Sequence, residues 1–119
     1  MWERGETALG AFLYLREPLI AEAAALAGYD YVCIDMQHGL SDLDMTMGML
    51  QAVARTPVVP VVRVPWNEQG IIGRVLDAGA LGVIIPMVNS PEEARRAVAS
   101  CRYAPDGSRS FGPMAAGAR

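Results

Sequence analysis

A chain of 119 residues, 52% apolar and 19% charged, can bury one core and is too apolar to be disordered. Its net charge of −3, with arginines scattered along the chain, excludes a basic footprint for nucleic acid or a membrane surface. No run of about 18 apolar residues occurs, and no basic segment leads into an apolar one at the N-terminus, so a soluble, cytoplasmic protein is expected. The two cysteines, Cys33 and Cys101, lack metal-ligand spacing and are expected as reduced, buried thiols.

Ala8 to Leu15 reads as a first strand, broken by Arg16 and Glu17. Pro18 suits the first turn of a helix, where its missing N–H costs nothing. Leu19 to Ala27 is alanine-rich, with high helix propensity, and Gly28 supplies the stop. Tyr31 to Ile34 predicts a second, buried strand running into the turn Asp35-Met36-Gln37-His38-Gly39. Ser41 or Asp42 can cap a second helix extending to about Ala54. Leu43, Met47, Leu50 and Ala54 repeat along it at three- and four-residue spacing, and its methionines read as core.

Proline cannot donate to a sheet ladder, so the buried part of a third strand is expected to begin just after Pro60 and to end at Arg63 to Pro65. Asn67 or Glu68 opens a third helix carrying Ile71, Ile72, Val75 and Leu76, stopping at Gly79. Leu81 to Met87 predicts a fourth strand, apolar on both faces. Asn89 or Ser90 caps a last helix with Pro91, Glu92 and Glu93 in its first turn. Ala94, Val98 and Cys101 are its expected inner face. Beyond Arg102, glycine and proline predict a loop, and the tail Met114 to Arg119 holds no further element.

The order is therefore β-α four times over, with a repeat of about 25–30 residues. Strands apolar on both faces and alternating with helices predict a parallel α/β sheet with right-handed crossovers. Residues 1–119 form one domain: a small open sheet, or half of an eight-fold barrel of about 250 residues.

Such folds hold ligands at the C-terminal ends of their strands. There, Asp35, Gln37 and the only histidine, His38, follow strand two, and Arg63 ends strand three. Adjacent strands lie about 5 Å apart, so both groups open onto one face. A hydrogen-bonded turn histidine and a surface salt bridge are the plainer readings. Trp66 on the same face either lines a pocket or shields a contact. Arg102 and Arg109 suit an anion site or a turn equally and are left unassigned.

Asp35-Met36-Gln37-His38-Gly39, Val61-Val62-Arg63-Val64-Pro65, Leu76-Asp77-Ala78-Gly79-Ala80, Ile85-Pro86-Met87-Val88 and Arg102-Tyr103-Ala104-Pro105-Asp106-Gly107-Ser108-Arg109 follow in order over nearly the whole chain. Together they resemble the HpcH/HpaI aldolase family, metal-dependent (class II) pyruvate aldolases that cleave 4-hydroxy-2-oxo acids. The resemblance implies the first half of a TIM-type (β/α)8 barrel, a homo-oligomer, a divalent metal (Mg, Mn or Co), and a retro-aldol reaction releasing pyruvate and an aldehyde. It makes His38 the general base, Arg63 the group that stabilises the enolate, and Asp77 the acid that raises the histidine's basicity. Gln37 departs from the family's Asp-x-Glu-His. The family's metal ligands, a Glu and an Asp, come from strands five and six and are outside this chain.

Asp77 falls about 10 Å or more down helix three from the catalytic face. It is therefore expected to act on a neighbouring subunit's histidine, or else to be a plain helix-end carboxylate. Asp35 is the local candidate for orienting the imidazole. A different expectation from the same features is a catalytically silent, truncated half-barrel whose free edge strands make it an oligomerising module.

Overall fold

Four strands and four helices alternate through the computed structural model, which describes residues 2–112. They are β1 (Gly10–Leu13), α1 (Pro18–Leu26), β2 (Tyr31–Asp35), α2 (Leu43–Val53), β3 (Val59–Arg63), α3 (Gln69–Asp77), β4 (Gly82–Ile84) and α4 (Pro91–Cys101), after a short 3₁₀ turn at Trp2–Arg4. The tail Met114 to Arg119 lies outside the described residues.

Local chemistry sets the helix ends. Asp42 accepts from the Met45 N–H at 2.9 Å and starts α2. Ser90 accepts from the Glu93 N–H at 3.2 Å to start α4, and the Glu93 carboxylate reaches back to the Asn89 N–H at 2.7 Å. Gly28 (φ 91°) and Gly79 (φ 109°) turn the chain left-handed after α1 and α3, a conformation glycine adopts without steric cost.

The sheet is fully parallel in the order β1-β2-β3-β4. A sequential order means that every right-handed crossover steps the same way, so all four helices cover one face. That is the winding of a barrel arc and not of a sheet covered by helices on both faces. Leu13, Val32, Ile34, Val62 and Val64 point into the helix layer, where Met49, Leu50, Val53, Ile72 and Val75 pack against them. The alternate residues, Phe12, Cys33, Asp35, Val61, Arg63 and Ile84, lie on the face away from these helices, and β1 and β4 are the outer strands of the sheet among the described residues.

Several sequence expectations need correction. β1 is shorter than Ala8 to Leu15, and β2 runs one residue further, through Asp35. β3 begins before Pro60, not after it. The Pro60 carbonyl accepts from Leu81 N–H at 2.9 Å, on the β4 side. In a parallel strand the N–H of that residue would point the same way, and β4 pairs only from Gly82 opposite Val61, so the donor that proline lacks has no partner to miss. β4 holds only Gly82–Ile84, because Met87 takes a left-handed φ of 56° just beyond it.

Helix faces shift as well. Thr46, Met49, Leu50 and Val53 are the buried face of α2, whereas Ala54 is exposed; the methionines do belong to the core. On α4, Ala97 and Ser100 are buried, while Ala94 and Val98 are exposed. Arg96, Ala99 and Ser100 line the cleft toward α3, which puts Ala94 and Val98 on the opposite flank. No further helix packs on that flank among the described residues, and Asp106 of the following loop lies beside it.

Candidate active site

Asp35 closes β2 with its side chain fully buried. A buried carboxylate needs partners, and here every one is supplied. Its Oδ1 accepts from the Gln37 N–H at 3.0 Å, the His38 N–H at 3.3 Å and Arg63 Nε at 2.8 Å; Oδ2 accepts from Arg63 Nη2 at 2.6 Å. The paired guanidinium is the main cause that holds the Asp35 carboxyl below its ordinary range, against the opposing effect of burial. Asp35 and Arg63 are register partners across β2 and β3, so the fork geometry follows from strand pairing. The Arg63 guanidinium also lies 5.3 Å from the centre of the Phe12 ring on β1. Its Nη1 has no hydrogen-bond partner among the described residues.

The turn after β2 is folded tightly onto itself. A Cβ on Gly39 would overlap the Asp35 carbonyl oxygen, so only glycine fits there. Leu40 N–H then bonds the Tyr14 carbonyl at 2.9 Å, tying the turn to the end of β1. His38 is exposed at the tip, and its imidazole makes no hydrogen bond among the described residues. Asp35 therefore holds the backbone of His38 and not its ring. The expected hydrogen-bonded turn histidine is not what the structure shows.

Tyr14, Leu40, Trp66 and Met87, all large and at least half exposed, stand in the loops that follow β1, β2, β3 and β4. They form an apolar rim around the His38–Arg63 end of the sheet.

Asp77 is elsewhere. Its Oδ1 accepts from Arg109 Nη2 at 2.6 Å, and Arg109 lies over the Tyr103 ring at 4.6 Å, which in turn meets Phe111 at 5.2 Å. Both members of the pair are largely buried. Asp77 thus fastens the loop after α4 to the end of α3, and the structure does not bring it to the His38 of its own chain. Arg109, left unassigned from sequence, is its partner; no local signal could connect residues 32 positions apart. Phe12 also went unnoticed, although strand alternation from Gly10 places it on the open face beside Arg63.

Burial pushes the Cys33 thiol up to about 11, so it is an inert core group at neutral pH. Both cysteines are free. Among the described residues no three His, Cys, Asp or Glu side chains stand close enough to hold a metal ion, and Asp35, which accepts from the His38 N–H, is already committed to Arg63. The divalent metal that the resemblance implies does not fit these residues. Among them, no helix is long and apolar enough to cross a membrane.

Comparison with known proteins adds independent observations. The model of the HpcH/HpaI aldolase/citrate lyase family matches residues 8–116. A hydroxypyruvate/pyruvate aldolase of Deinococcus radiodurans is 42% identical over 108 residues, 91% of this chain and 39% of that protein. A 4-hydroxy-2-oxo-heptane-1,7-dioate aldolase of Salmonella dublin is 42% identical over 108 residues, again 91% of this chain and 41% of the relative. Among solved structures, an HpcH/HpaI aldolase/citrate lyase family protein from Burkholderia cenocepacia superposes with a TM-score of 0.85 at 40% identity, over 92% of this chain and 46% of that one. The chain spans about two fifths of the length of these curated relatives. Its four βα units correspond to half of a TIM-type barrel.

Proposed function

This chain belongs to the HpcH/HpaI aldolase/citrate lyase family, and from that premise we propose that it carries the base-and-arginine half of a class II pyruvate aldolase centre. The reaction is retro-aldol cleavage of a 4-hydroxy-2-oxo acid to pyruvate and an aldehyde, in the cytoplasm. Relatives named as aldolases support carbon–carbon lyase chemistry for the family.

His38 takes the proton of the 4-hydroxyl group, the C3–C4 bond breaks, and its electron pair moves toward the 2-oxo group as the aldehyde departs. The pyruvate enolate left behind carries negative charge at that oxygen, and a proton returned to C3 completes pyruvate. A solvent-facing imidazole with no hydrogen-bond partner on its ring among the described residues suits the first step. Arg63 offers Nη1 to the developing enolate, and it is held in place beforehand, which is what electrostatic stabilisation of a transition state requires. The observation that carries this reading is the Asp35 carboxylate, which locks Arg63 and the backbone of His38 to one buried group. Asp77 is assigned as the acid serving a neighbouring subunit's histidine. The metal that such aldolases use takes its ligands from residues outside this chain.

The test is pyruvate release from a 4-hydroxy-2-oxo acid with Mg²⁺ or Mn²⁺ and with chelator. It is run on this chain alone and after adding the C-terminal half of a full-length relative. We expect silence alone and metal-dependent turnover in the mixture, abolished by His38→Ala. Turnover that survives this substitution removes the histidine from the mechanism. Silence in every mixture favours the second reading, a catalytically silent structural half-barrel, which the missing metal donor set among the described residues supports.

A further inference from the structure

Tyr14 continues the transverse row of the sheet that holds Asp35 and Arg63. The pairing of β1 with β2 ends at Leu13 opposite Ile34, so the next residues on the two strands are Tyr14 and Asp35, and Asp35 is itself paired with Arg63. Side chains alternate along a strand, so Tyr14, two residues beyond Phe12, falls on the face that carries Arg63. We propose that Tyr14 is a specificity-determining residue for the aldehyde half of the substrate. Its phenol hydroxyl pairs with a hydroxyl group on C5, and the site selects substrates that release 2-hydroxyaldehydes. The inference deepens the aldolase reading and rests on it.

Three observations carry it. First, the turn that bears His38 ties three strands together. Asp35 joins it to Arg63 on β3, and on the other side the Leu40 N–H bonds the Tyr14 carbonyl at 2.9 Å. Tyr14 therefore keeps a fixed place relative to His38 and Arg63. In the retro-aldol step the C2 oxygen lies at Arg63, after β3, and the C4 hydroxyl at His38, after β2. Neighbouring strands are about 5 Å apart, so a substrate chain running from β3 to β2 next meets the end of β1. Tyr14 is the residue that follows β1 there.

Second, aromatic contacts place the Tyr14 ring beside the arginine. Its centre is 6.4 Å from that of Phe12, and the Arg63 guanidinium lies 5.3 Å from the same Phe12 ring. Arg63 is held above its ordinary range chiefly by its bond to Asp35, against burial, and the Tyr14 phenol is near enough to add to that effect.

Third, the hydroxyl is the uncommitted polar group of its loop. Arg16 is paired with Asp42 at 2.7 Å, and the Glu17 carboxylate accepts from the Leu19 N–H at 3.1 Å to cap α1. The Tyr14 hydroxyl makes no hydrogen bond among the described residues. With the cation and the acid of the loop engaged, a neutral substituent suits it best, and a phenol can donate to a hydroxyl or accept from one. A substrate that covers this group without pairing it strands a polar atom, which is how a site built for a hydroxyl rejects the analogue that lacks one.

Pyruvate release from 4,5-dihydroxy-2-oxohexanoate and from 4-hydroxy-2-oxohexanoate tests the proposal, with Mg²⁺ and in the mixture with the C-terminal half of a full-length relative. The two acids differ only in the C5 hydroxyl and release 2-hydroxypropanal and propanal. The ratio of their kcat/KM values should favour the dihydroxy acid by about 10–100-fold and fall to about one in Tyr14→Phe. That variant keeps the ring and its contact with Phe12, and unchanged helical circular dichroism checks its fold. A tyrosine that only shapes the loop would lower both substrates together. An unchanged ratio in the variant, or a ratio near one in the wild-type chain, therefore overturns the proposal while the aldolase reading stands. Turnover of neither substrate overturns both.

Discussion

Asp35 and Arg63 face one another across β2 and β3 and are joined by two parallel hydrogen bonds of 2.8 and 2.6 Å. Asp35 also grips the turn that carries His38. One buried carboxylate thus ties the arginine and the histidine, 25 residues apart in sequence, to a common point.

Asp35→Asn should therefore damage activity without touching substrate. An amide cannot accept all four hydrogen bonds, so Arg63 and the His38 turn both drift. A misplacement of about 1 Å is enough for a loss of about 10²-fold in kcat. Arg63→Lys should fail as well, since a lysine lacks the planar fork. Both are measured as pyruvate release in the mixture with the C-terminal half.

The same carboxylate sets an acid limit on stability. Its folded pKa lies below its ordinary 3.8, so its contribution is complete above that value and is lost as pH falls below it toward the folded pKa. Urea midpoints measured against pH should fall on the acid side in the wild-type chain, and the fall should be shallower in Asp35→Asn. Equal slopes would show that Asp35 has no part in it.

His38→Ala should lower kcat by about 10²–10⁴-fold, the range for removal of a general base, with KM little changed. Because His38 is exposed and bonded only through its backbone, the thermal midpoint should hardly move. Gly39→Ala should be worse for the fold: its methyl group meets backbone, which cannot swing aside. A destabilisation of about 1–3 kcal/mol is expected by denaturant titration.

Asp77→Ala separates two roles. It leaves the largely buried Arg109 without its carboxylate, which should cost about 1–3 kcal/mol in urea unfolding. If Asp77 also serves a neighbour's histidine, Arg109→Ala should share the stability loss and spare the pH profile of turnover. Met49→Ala, in the centre of the helix layer, should cost about 2–5 kcal/mol and leave the profile alone.

The order of elements, the parallel sheet and the end of the strands where polar groups gather were all readable from the chain. Apolar runs, proline and glycine are local signals, and β-α repetition admits few topologies. Strand order was not readable, and it alone separates a barrel arc from a doubly wound sheet. What misled was the assumption that an apolar stripe is a buried stripe. Ala94 and Val98 have the spacing of an inner face and lie outside, because which flank of a helix is covered depends on which helices exist beside it. The contact between Asp77 and Arg109 was invisible for another reason: neither residue carries any mark of the other. His38 and Arg63 can be picked out by position, whereas nothing in the sequence tells that Asp35 binds the backbone of the one and the guanidinium of the other and leaves the ring alone.

Pro60 has a consequence beyond its own position. By withholding a donor on the side where β4 will come, it refuses any sliding of that strand toward the start of β3. A shift of one residue would turn every β4 side chain to the opposite face. The ring at Pro60 therefore acts as a doorstop: it decides that Ile84, and not its neighbour, stands across from Arg63.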